Sequence, residues 1–127
     1  MNDIRVLIVD DSASVRRVMS EILHAPPEIE VIGTAPDPFA AARRIQESVP
    51  DVLVLDIEMP RMDGYQFATH VRNDPKVKHL PIIMITSRSG EKHRAKAIEI
   101  GVNDYLSKPY QESQLIAAIT ALLGREL

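Results

Sequence analysis

The sequence predicts an α/β fold, a doubly wound, five-stranded parallel sheet with helices on both faces. Three runs, 6–9, 52–55 and 82–85, are apolar at consecutive positions, which is typical of strands that are covered on both faces. Helical patterns with short connections alternate with these runs, so each crossover is expected to be right-handed. In such a sheet, ligands bind beyond the carboxyl ends of the strands.

Two further strands are predicted from shorter and less apolar segments. The second, Val31–Ile32, is short and is flanked by Glu30 and Gly33, which predicts an edge strand. The fifth is a stretch at 104–106 that follows Gly101, a residue suited to closing the helix that begins near position 91. With these two strands the alternation of strand and helix is complete.

Two helices are predicted from apolar residues that recur three and four positions apart, and both stripes are expected to face the core. They comprise Val15, Val18, Met19, Ile22 and Leu23 in the first helix, and Leu115, Ile116, Ile119, Leu122 and Leu123 in the last. Asp37 followed by Pro38 predicts an N-cap and first turn, opening a helix through Phe39, Ala42 and Ile45.

A further helix is predicted after Asp63, a second candidate N-cap. Asp63-Gly64 also fits a hairpin turn, but Phe67, Ala68 and Val71 follow at helical spacing and favour the helix.

Bulk properties limit the classes of function. The 127 residues are expected to form one domain over 1–127, and 26% charged residues indicate a globular chain. A formal net charge of -3 argues against direct nucleic-acid binding, because nucleic-acid-binding modules usually display a clustered excess of Lys and Arg. The absence of cysteine, of a leader pattern and of a long apolar run predicts a cytoplasmic location without membrane insertion.

Acidic residues follow two of the predicted strands. Asp10 and Asp11 come directly after the first apolar run, and Asp56 comes after the third, so all three should share one edge of the sheet if these strands are neighbours. For any one of these aspartates alone, a role as a helix cap or turn residue is favoured. Together they would repel by roughly a few kcal/mol per pair, and a divalent cation such as Mg²⁺ would neutralise them.

A hydroxyl and an ammonium group are expected at the same edge. Thr86 ends the fourth apolar run, and Lys108 follows the fifth. A cation, a lysine and a hydroxyl around an acceptor oxygen are what phosphoryl transfer requires. Asp56 is therefore the candidate nucleophile, since carboxylates accept phosphoryl groups as acyl phosphates.

These motifs in order resemble the receiver domain of bacterial response regulators, which has a flavodoxin-like fold with strand order 2-1-3-4-5. The matching segments are LIVDDS at 7–12, LDIEMPRMDG at 55–64, MITS at 84–87 and YLSKP at 105–109.

The resemblance implies a role for each site residue. Side chains of Asp11 and Asp56, the backbone carbonyl of Glu58 and, through water, Asp10 would hold Mg²⁺. Asp56 would accept the phosphoryl group, which Lys108 and Thr86 contact through their side chains.

Two further details also come from the resemblance. Tyr105 would swing inward with Thr86 as a switch, although a half-buried edge-strand tyrosine is the plainer alternative. The Lys108–Pro109 peptide bond would be cis.

The same resemblance implies partners. A histidine kinase would donate the phosphoryl group, and an output protein would read the change at a surface near Lys92, Lys96, Tyr105 and Gln111, where a homodimer is also an option. The chain ends soon after its last helix, so a stand-alone or excised receiver is expected.

The chain also resembles two different kinds of receiver on either side of Pro50. The segment before Pro50 resembles a chemotaxis methylesterase receiver, and the later segment resembles the terminal receiver of hybrid chemotaxis-type kinases. We therefore hypothesise a mosaic or chimeric origin, which separate similarity of the two halves to different homologues would support.

Two other functions compete with the receiver hypothesis. A Mg²⁺-dependent phosphatase would also place a nucleophilic aspartate after a strand, but it needs a second acid two residues later. This chain has a glutamate, Glu58, at that position, and no lid domain is expected. A phosphorylation-independent interaction module would use only the surface of the fold, and the intact set of site residues argues against it.

Overall fold

The computed structural model of the protein describes residues 3–56, 64–86 and 91–123. Five strands and five helices alternate along the chain. The strands are β1 (Ile4–Val9), β2 (Ile29–Ala35), β3 (Val52–Asp56), β4 (Ile82–Thr86) and β5 (Asp104–Ser107), and the helices are α1 (Ala13–His24), α2 (Pro38–Glu47), α3 (Gly64–Asn73), α4 (Glu91–Ile100) and α5 (Glu112–Leu122).

The sheet has the predicted architecture. All four strand pairings are parallel, and the order is β2-β1-β3-β4-β5. β2 lies at an edge as predicted, but it spans seven residues rather than two. Its central residues are only half-buried, so its sequence lacks the continuous apolar run of an interior strand. The register with β1 shifts between Val6 and Leu7.

Two apolar cores lie on opposite faces of the sheet. Alternate residues of a strand point to opposite faces, so in β3 Leu53 and Leu55 join one core while Val52 and Val54 join the other. Helices α2, α3 and α4 cover the first core, and α1 and α5 cover the second. Strands buried on both faces explain the apolar runs from which the fold was predicted.

The helix boundaries follow local capping chemistry. Asp37 accepts a hydrogen bond from the backbone N–H of Ala40 at 2.8 Å, so the predicted cap before Pro38 is confirmed. Ser12 caps α1 by accepting from Val15 N. Gly101 ends α4 with φ +103°, a conformation that glycine adopts without strain. α3 is helical as predicted, while its proposed cap Asp63 lies outside the described residues.

The predicted apolar stripes are only partly buried. Val18, which was assigned to the core, is 53% exposed, and Phe39 is 52% exposed although its helix forms as predicted. Ala42 is also exposed, whereas Ile45, named with it in the predicted helix, is buried together with Pro38 and Ala41. Helical spacing identifies a broad stripe, and the packing of the helix on the sheet decides which edge of that stripe stays in solvent. None of the helices in the described ranges is long and apolar enough to cross a membrane.

Candidate functional site

Polar and charged residues meet at the carboxyl edge of the sheet. Asp10 follows β1, Asp56 and Thr86 are the last residues of β3 and β4, and Lys108 follows β5. Because β1 pairs with β3 and β3 with β4, the ends of these strands are neighbours. Parallel strands all end at the same edge, so the sheet topology brings together residues that are far apart in the chain.

Three carboxylates form a cluster that could hold a metal ion. One oxygen from each of Asp10, Asp11 and Asp56 lies within 4.8 Å of the others. Asp10 and Asp56 are buried, with 1% and 3% exposure, whereas Asp11 is exposed. The convergence predicted from the strand ends is therefore present in the structure.

Asp10 shows why this cluster suits a cation. Its Oδ1 accepts a hydrogen bond from Ser12 N at 2.9 Å, but its buried Oδ2 has no hydrogen-bond partner among the described residues. Burial raises the pKa of the Asp10 carboxyl, and the nearby Asp11 charge adds to this, while the Ser12 N–H, Lys108 and Arg16 lower the pKa. Burying a hydrogen-bond acceptor without a donor costs free energy, and a cation bound to Asp10 Oδ2 would offset that cost. The carboxylate oxygens fit a hard ion such as Mg²⁺.

Lys108 supplies positive charge to the cluster. Its Nζ lies 3.5 Å from Asp56 Oδ1, and its side chain is 30% exposed. The Lys108 backbone N–H donates to Thr86 O at 2.7 Å, which ties the segment after β5 to the end of β4. The Lys108–Pro109 peptide bond is cis, as the resemblance implied.

The two residues expected to act as a switch are both buried. Thr86 is fully buried at the end of β4, and Tyr105 is 8% exposed on the edge strand β5, opposite Met84. Tyr105 belongs to the core cluster that α2, α3 and α4 cover, so it is more deeply buried than the plain edge-strand alternative assumed. Glu58, the remaining expected metal ligand, lies outside the described residues.

Two residues near the carboxylates were not anticipated from the sequence. Arg16 on α1 donates from Nη1 to the backbone O of Asp10 at 2.7 Å, which fixes the segment between β1 and α1. Tyr110 is half-buried, and both its burial and the Asp10 charge raise the pKa of its phenol. No local pattern in the sequence distinguishes either residue, because both acquire these neighbours only in the folded chain.

The fold and the site define an α/β domain with an acidic cluster at the carboxyl edge of its sheet. A family model described as "Response regulator receiver domain" matches residues 6–120. The chain therefore belongs to the response regulator receiver domain family, which functions in two-component and chemotaxis signalling. Receiver domains are regulatory modules.

Similar proteins refine this assignment. The chain is 52% identical over 108 residues to protein-glutamate methylesterase/protein-glutamine glutaminase 2 of Rhodospirillum rubrum, covering 84% of this chain and 29% of that protein. It is similar to the response regulator domain of Thermotoga maritima CheB, with TM-score 0.86 and 29% identity over 99% of this chain and 100% of the other. A putative response regulator from Chloroflexus aurantiacus gives TM-score 0.89 and 32% identity over 98% and 100%.

These comparisons bear on the mosaic hypothesis. The chain spans less than a third of the length of the curated methylesterase relatives that it matches. Since 108 of the 127 residues align with the first of these relatives, the alignment extends across Pro50. The mosaic origin stays a prediction, which the identity of each half to separate homologues would test.

Proposed function

We propose that this chain, as one receiver domain over residues 1–127, accepts a phosphoryl group on Asp56 from a histidine kinase in a cytoplasmic signalling pathway. The observation that carries the proposal is the 3.5 Å approach of Lys108 Nζ to Asp56 Oδ1 within a cluster of three carboxylates. A carboxylate beside an ammonium and two further acids is poised for transfer chemistry rather than for capping a helix.

Asp56 is the nucleophile in the proposed reaction. A carboxylate oxygen of Asp56 attacks the phosphorus of a phosphohistidine, the P–N bond breaks, and the histidine nitrogen leaves with the bonding electron pair. Water later attacks the acyl phosphate, which releases inorganic phosphate and restores the Asp56 carboxylate. Both steps take place on the Asp56 side chain, so the covalent change is made on the protein itself and the phosphodonor is consumed.

The neighbouring residues stabilise charge on the transferred group. Lys108, whose Nζ lies 3.5 Å from Asp56 Oδ1, would contact one phosphoryl oxygen, and the hydroxyl of Thr86 would bind another. Asp10, Asp11 and Asp56, with the backbone carbonyl of Glu58, would hold Mg²⁺, which supplies charge neutralisation between the carboxylates and the phosphoryl oxygens. The buried Oδ2 of Asp10, which has no hydrogen-bond partner among the described residues, supports a metal site here.

Signalling would then be a shift between two conformations. Charge added at Asp56 would draw the Thr86 side chain toward the phosphoryl group. The Tyr105 side chain would then move further into the core, into the space that Thr86 leaves. The output surface would lie at α4, β5 and α5, around Lys92, Lys96 and Gln111, where a second copy of the chain could also bind. The relatives favour a methylesterase/glutaminase-type output domain as the regulated partner.

The test supplies Mg²⁺ and a small phosphodonor such as acetyl phosphate and follows the intact mass of the chain. The proposal expects one acid-labile phosphoryl adduct that is absent without Mg²⁺ and absent in Asp56→Asn. An unmodified chain would favour the phosphorylation-independent module, and continuous release of phosphate from added phosphate esters would favour the phosphatase.

A further inference from the structure

Arg16 on α1 contacts the backbone of the segment that carries two of the three clustered carboxylates. Its Nη1 donates a hydrogen bond of 2.7 Å to the backbone O of Asp10, and the residue is half-buried. The accepting oxygen belongs to the peptide group that joins Asp10 to Asp11, and a peptide group is planar. One guanidinium group therefore restrains the plane that links two candidate metal ligands.

The other polar atoms of Asp10 show what this restraint achieves. The Asp10 N–H donates to the backbone O of Ala35 at 3.1 Å, and Asp10 Oδ1 accepts from Ser12 N at 2.9 Å. With Arg16 on the backbone O, every polar atom of Asp10 except Oδ2 has a partner. Oδ2 is buried and has no hydrogen-bond partner among the described residues. The three hydrogen bonds thus hold Asp10 in place and leave one carboxylate oxygen for a cation.

The charge of Arg16 acts against its hydrogen bond. Its positive charge lowers the pKa of the Asp10 carboxyl, an effect smaller than that of burial, which raises it, and the same charge would repel a bound cation. Because Arg16 is half-exposed, water and salt screen this repulsion, whereas the hydrogen bond to the Asp10 backbone remains. We therefore expect the hydrogen bond to dominate. The two effects predict changes in metal affinity of opposite sign when Arg16 is replaced.

We propose that Arg16 is a positioning residue of the metal site, which fixes Asp10 and Asp11 in the arrangement that binds Mg²⁺. The inference rests on the proposed function, in which these carboxylates hold the ion. Removing a group that orients metal ligands through hydrogen bonds commonly weakens metal binding about 10- to 100-fold, although the group does not touch the ion. Arg16 thereby sets the Mg²⁺ concentration at which Asp56 is phosphorylated.

Two other arginines provide matched controls. Arg17 follows Arg16 on α1, but its side chain is 84% exposed and its Nε lies 3.8 Å from Glu21 Oε1 in the same helix. Replacing Arg17 changes the charge of α1 by the same amount as replacing Arg16. Arg72 donates to backbone carbonyls outside the carboxylate cluster, so Arg72→Ala controls for a general loss of stability.

The first measurement is the Mg²⁺ dissociation constant of the full chain without any phosphodonor. Amide shifts in NMR spectra of the isotopically labelled chain, recorded over a Mg²⁺ titration at constant ionic strength, provide this constant. Arg16→Met keeps an unbranched apolar stem and removes the donor and the charge, so it should raise the constant about tenfold or more. Arg17→Met and Arg72→Ala should leave the constant unchanged.

Arg16→Lys separates the hydrogen bond from the charge. Lysine keeps the positive charge and can donate to the Asp10 carbonyl, but it lacks the planar fork of arginine. If the hydrogen bond positions the ligands, Arg16→Lys should bind Mg²⁺ more tightly than Arg16→Met does. If charge repulsion dominates, Arg16→Met should bind Mg²⁺ more tightly than the parent, and Arg16→Lys should match the parent.

The second measurement is the initial rate of Asp56 phosphorylation by acetyl phosphate at increasing Mg²⁺ concentration. Arg16→Met should raise the half-saturating Mg²⁺ concentration about tenfold and leave the rate at saturating Mg²⁺ nearly unchanged, because the Arg16 hydrogen bond goes to Asp10 rather than to the acceptor. Lys108→Ala, in contrast, should lower the rate at saturating Mg²⁺.

Two results would overturn the inference and leave the proposed function intact. The first is an equal Mg²⁺ dissociation constant in Arg16→Met and Arg17→Met, and the second is tighter Mg²⁺ binding by Arg16→Met than by the parent. A parent chain that forms no adduct, while Arg16→Met still weakens Mg²⁺ binding, would refute the phosphoryl transfer alone. Circular dichroism checks folding, and Arg16→Gln, which also removes the charge, replaces Arg16→Met if that variant does not fold.

Discussion

Lys108 Nζ lies 3.5 Å from Asp56 Oδ1, although the two residues are 52 positions apart in the chain. Asp56 ends β3 and Lys108 follows β5, and β4 lies between these strands in the sheet. The contact therefore depends on the parallel register of three strands. The contact also gives the buried Asp56 a positively charged neighbour. The carboxylates of Asp10 and Asp11, by contrast, lie close enough to repel the Asp56 carboxylate.

Lys108→Ala should slow phosphorylation of Asp56 strongly. The ammonium next to the acceptor oxygen stabilises charge on the transferred group, and removing one such group commonly lowers rates on the order of 10²-fold. The measurement is the initial rate of adduct formation with acetyl phosphate at fixed Mg²⁺. Lys78→Ala, at an exposed position outside the site, is the control and should leave the rate unchanged. Equal rates for Lys108→Ala and the parent would exclude a role for this ammonium.

Asp10→Asn should stabilise the chain at neutral pH when divalent cations are removed with EDTA. Burial raises the pKa of Asp10 above its ordinary value of 3.8, so the folded state binds this proton more tightly than the unfolded state does. The stability contributed by protonated Asp10 is complete below that ordinary value and is lost as the pH rises through the raised pKa. Asparagine keeps the oxygen that accepts from Ser12 N and removes the charge.

Urea unfolding of both proteins between pH 4 and pH 8 measures this effect. The free energy of unfolding of Asp10→Asn should exceed that of the parent by an amount that grows with pH and reaches on the order of 1 kcal/mol near neutrality. Asp3→Asn, at an exposed position, should show no such trend. A variant that is less stable than the parent at every pH would mean that the ionised Asp10 carboxylate stabilises the fold.

Mg²⁺ should stabilise the parent protein in a saturable manner. A ligand that binds only the folded state adds about 1.4 kcal/mol at ten times its Kd, which raises Tm by a few degrees for a chain of this size. Thermal unfolding monitored by circular dichroism over a Mg²⁺ titration measures it, with Na⁺ at equal ionic strength as control. Asp11→Asn should shift the titration to higher Mg²⁺. Identical midpoints for both proteins would remove Asp11 from the metal site.

Arg72→Ala should destabilise the fold without changing the chemistry at Asp56. The Arg72 guanidinium donates to the backbone carbonyls of Lys78, Leu80 and Gly101 and to the side chain of Asn103, at 2.7 to 3.1 Å. Loss of these bonds should cost about 2 kcal/mol in the free energy of unfolding.

Arg72→Lys tests the geometry of this contact. Lysine lacks the planar fork of arginine and should recover little of the lost stability. Urea unfolding measures both variants, with Arg94→Ala on the exposed surface of α4 as control. Full recovery by lysine would show that charge alone, rather than the directed hydrogen bonds, is responsible.

The sheet and the carboxylate cluster could be predicted from the sequence because both depend on position along a strand. Runs such as Leu53–Leu55 identify strands buried on two faces, and residues that directly follow them must lie at one edge. This is why Asp10 and Asp56 were found without any knowledge of distances.

Other features depend on contacts that no local pattern encodes. The extent of β2 was underestimated because its polar residues, such as Glu30 and Thr34, interrupt the apolar run of an edge strand. Val18 and Phe39 share the helical spacing of buried residues, yet the packing angle of each helix leaves them in solvent. The contact of Arg16 with Asp10 likewise arises only once the chain is folded.

Chemical trapping tests directly whether Asp56 is the residue that accepts the phosphoryl group. Borohydride reduces an acyl phosphate to an alcohol, so treatment after incubation with acetyl phosphate and Mg²⁺ converts a phosphorylated aspartate to homoserine. Peptide sequencing by mass spectrometry then locates the change. We expect homoserine at position 56 and none at Asp10 or Asp11. Homoserine at either of those positions instead, or its absence from the whole chain, would show that Asp56 is not the phosphoryl acceptor.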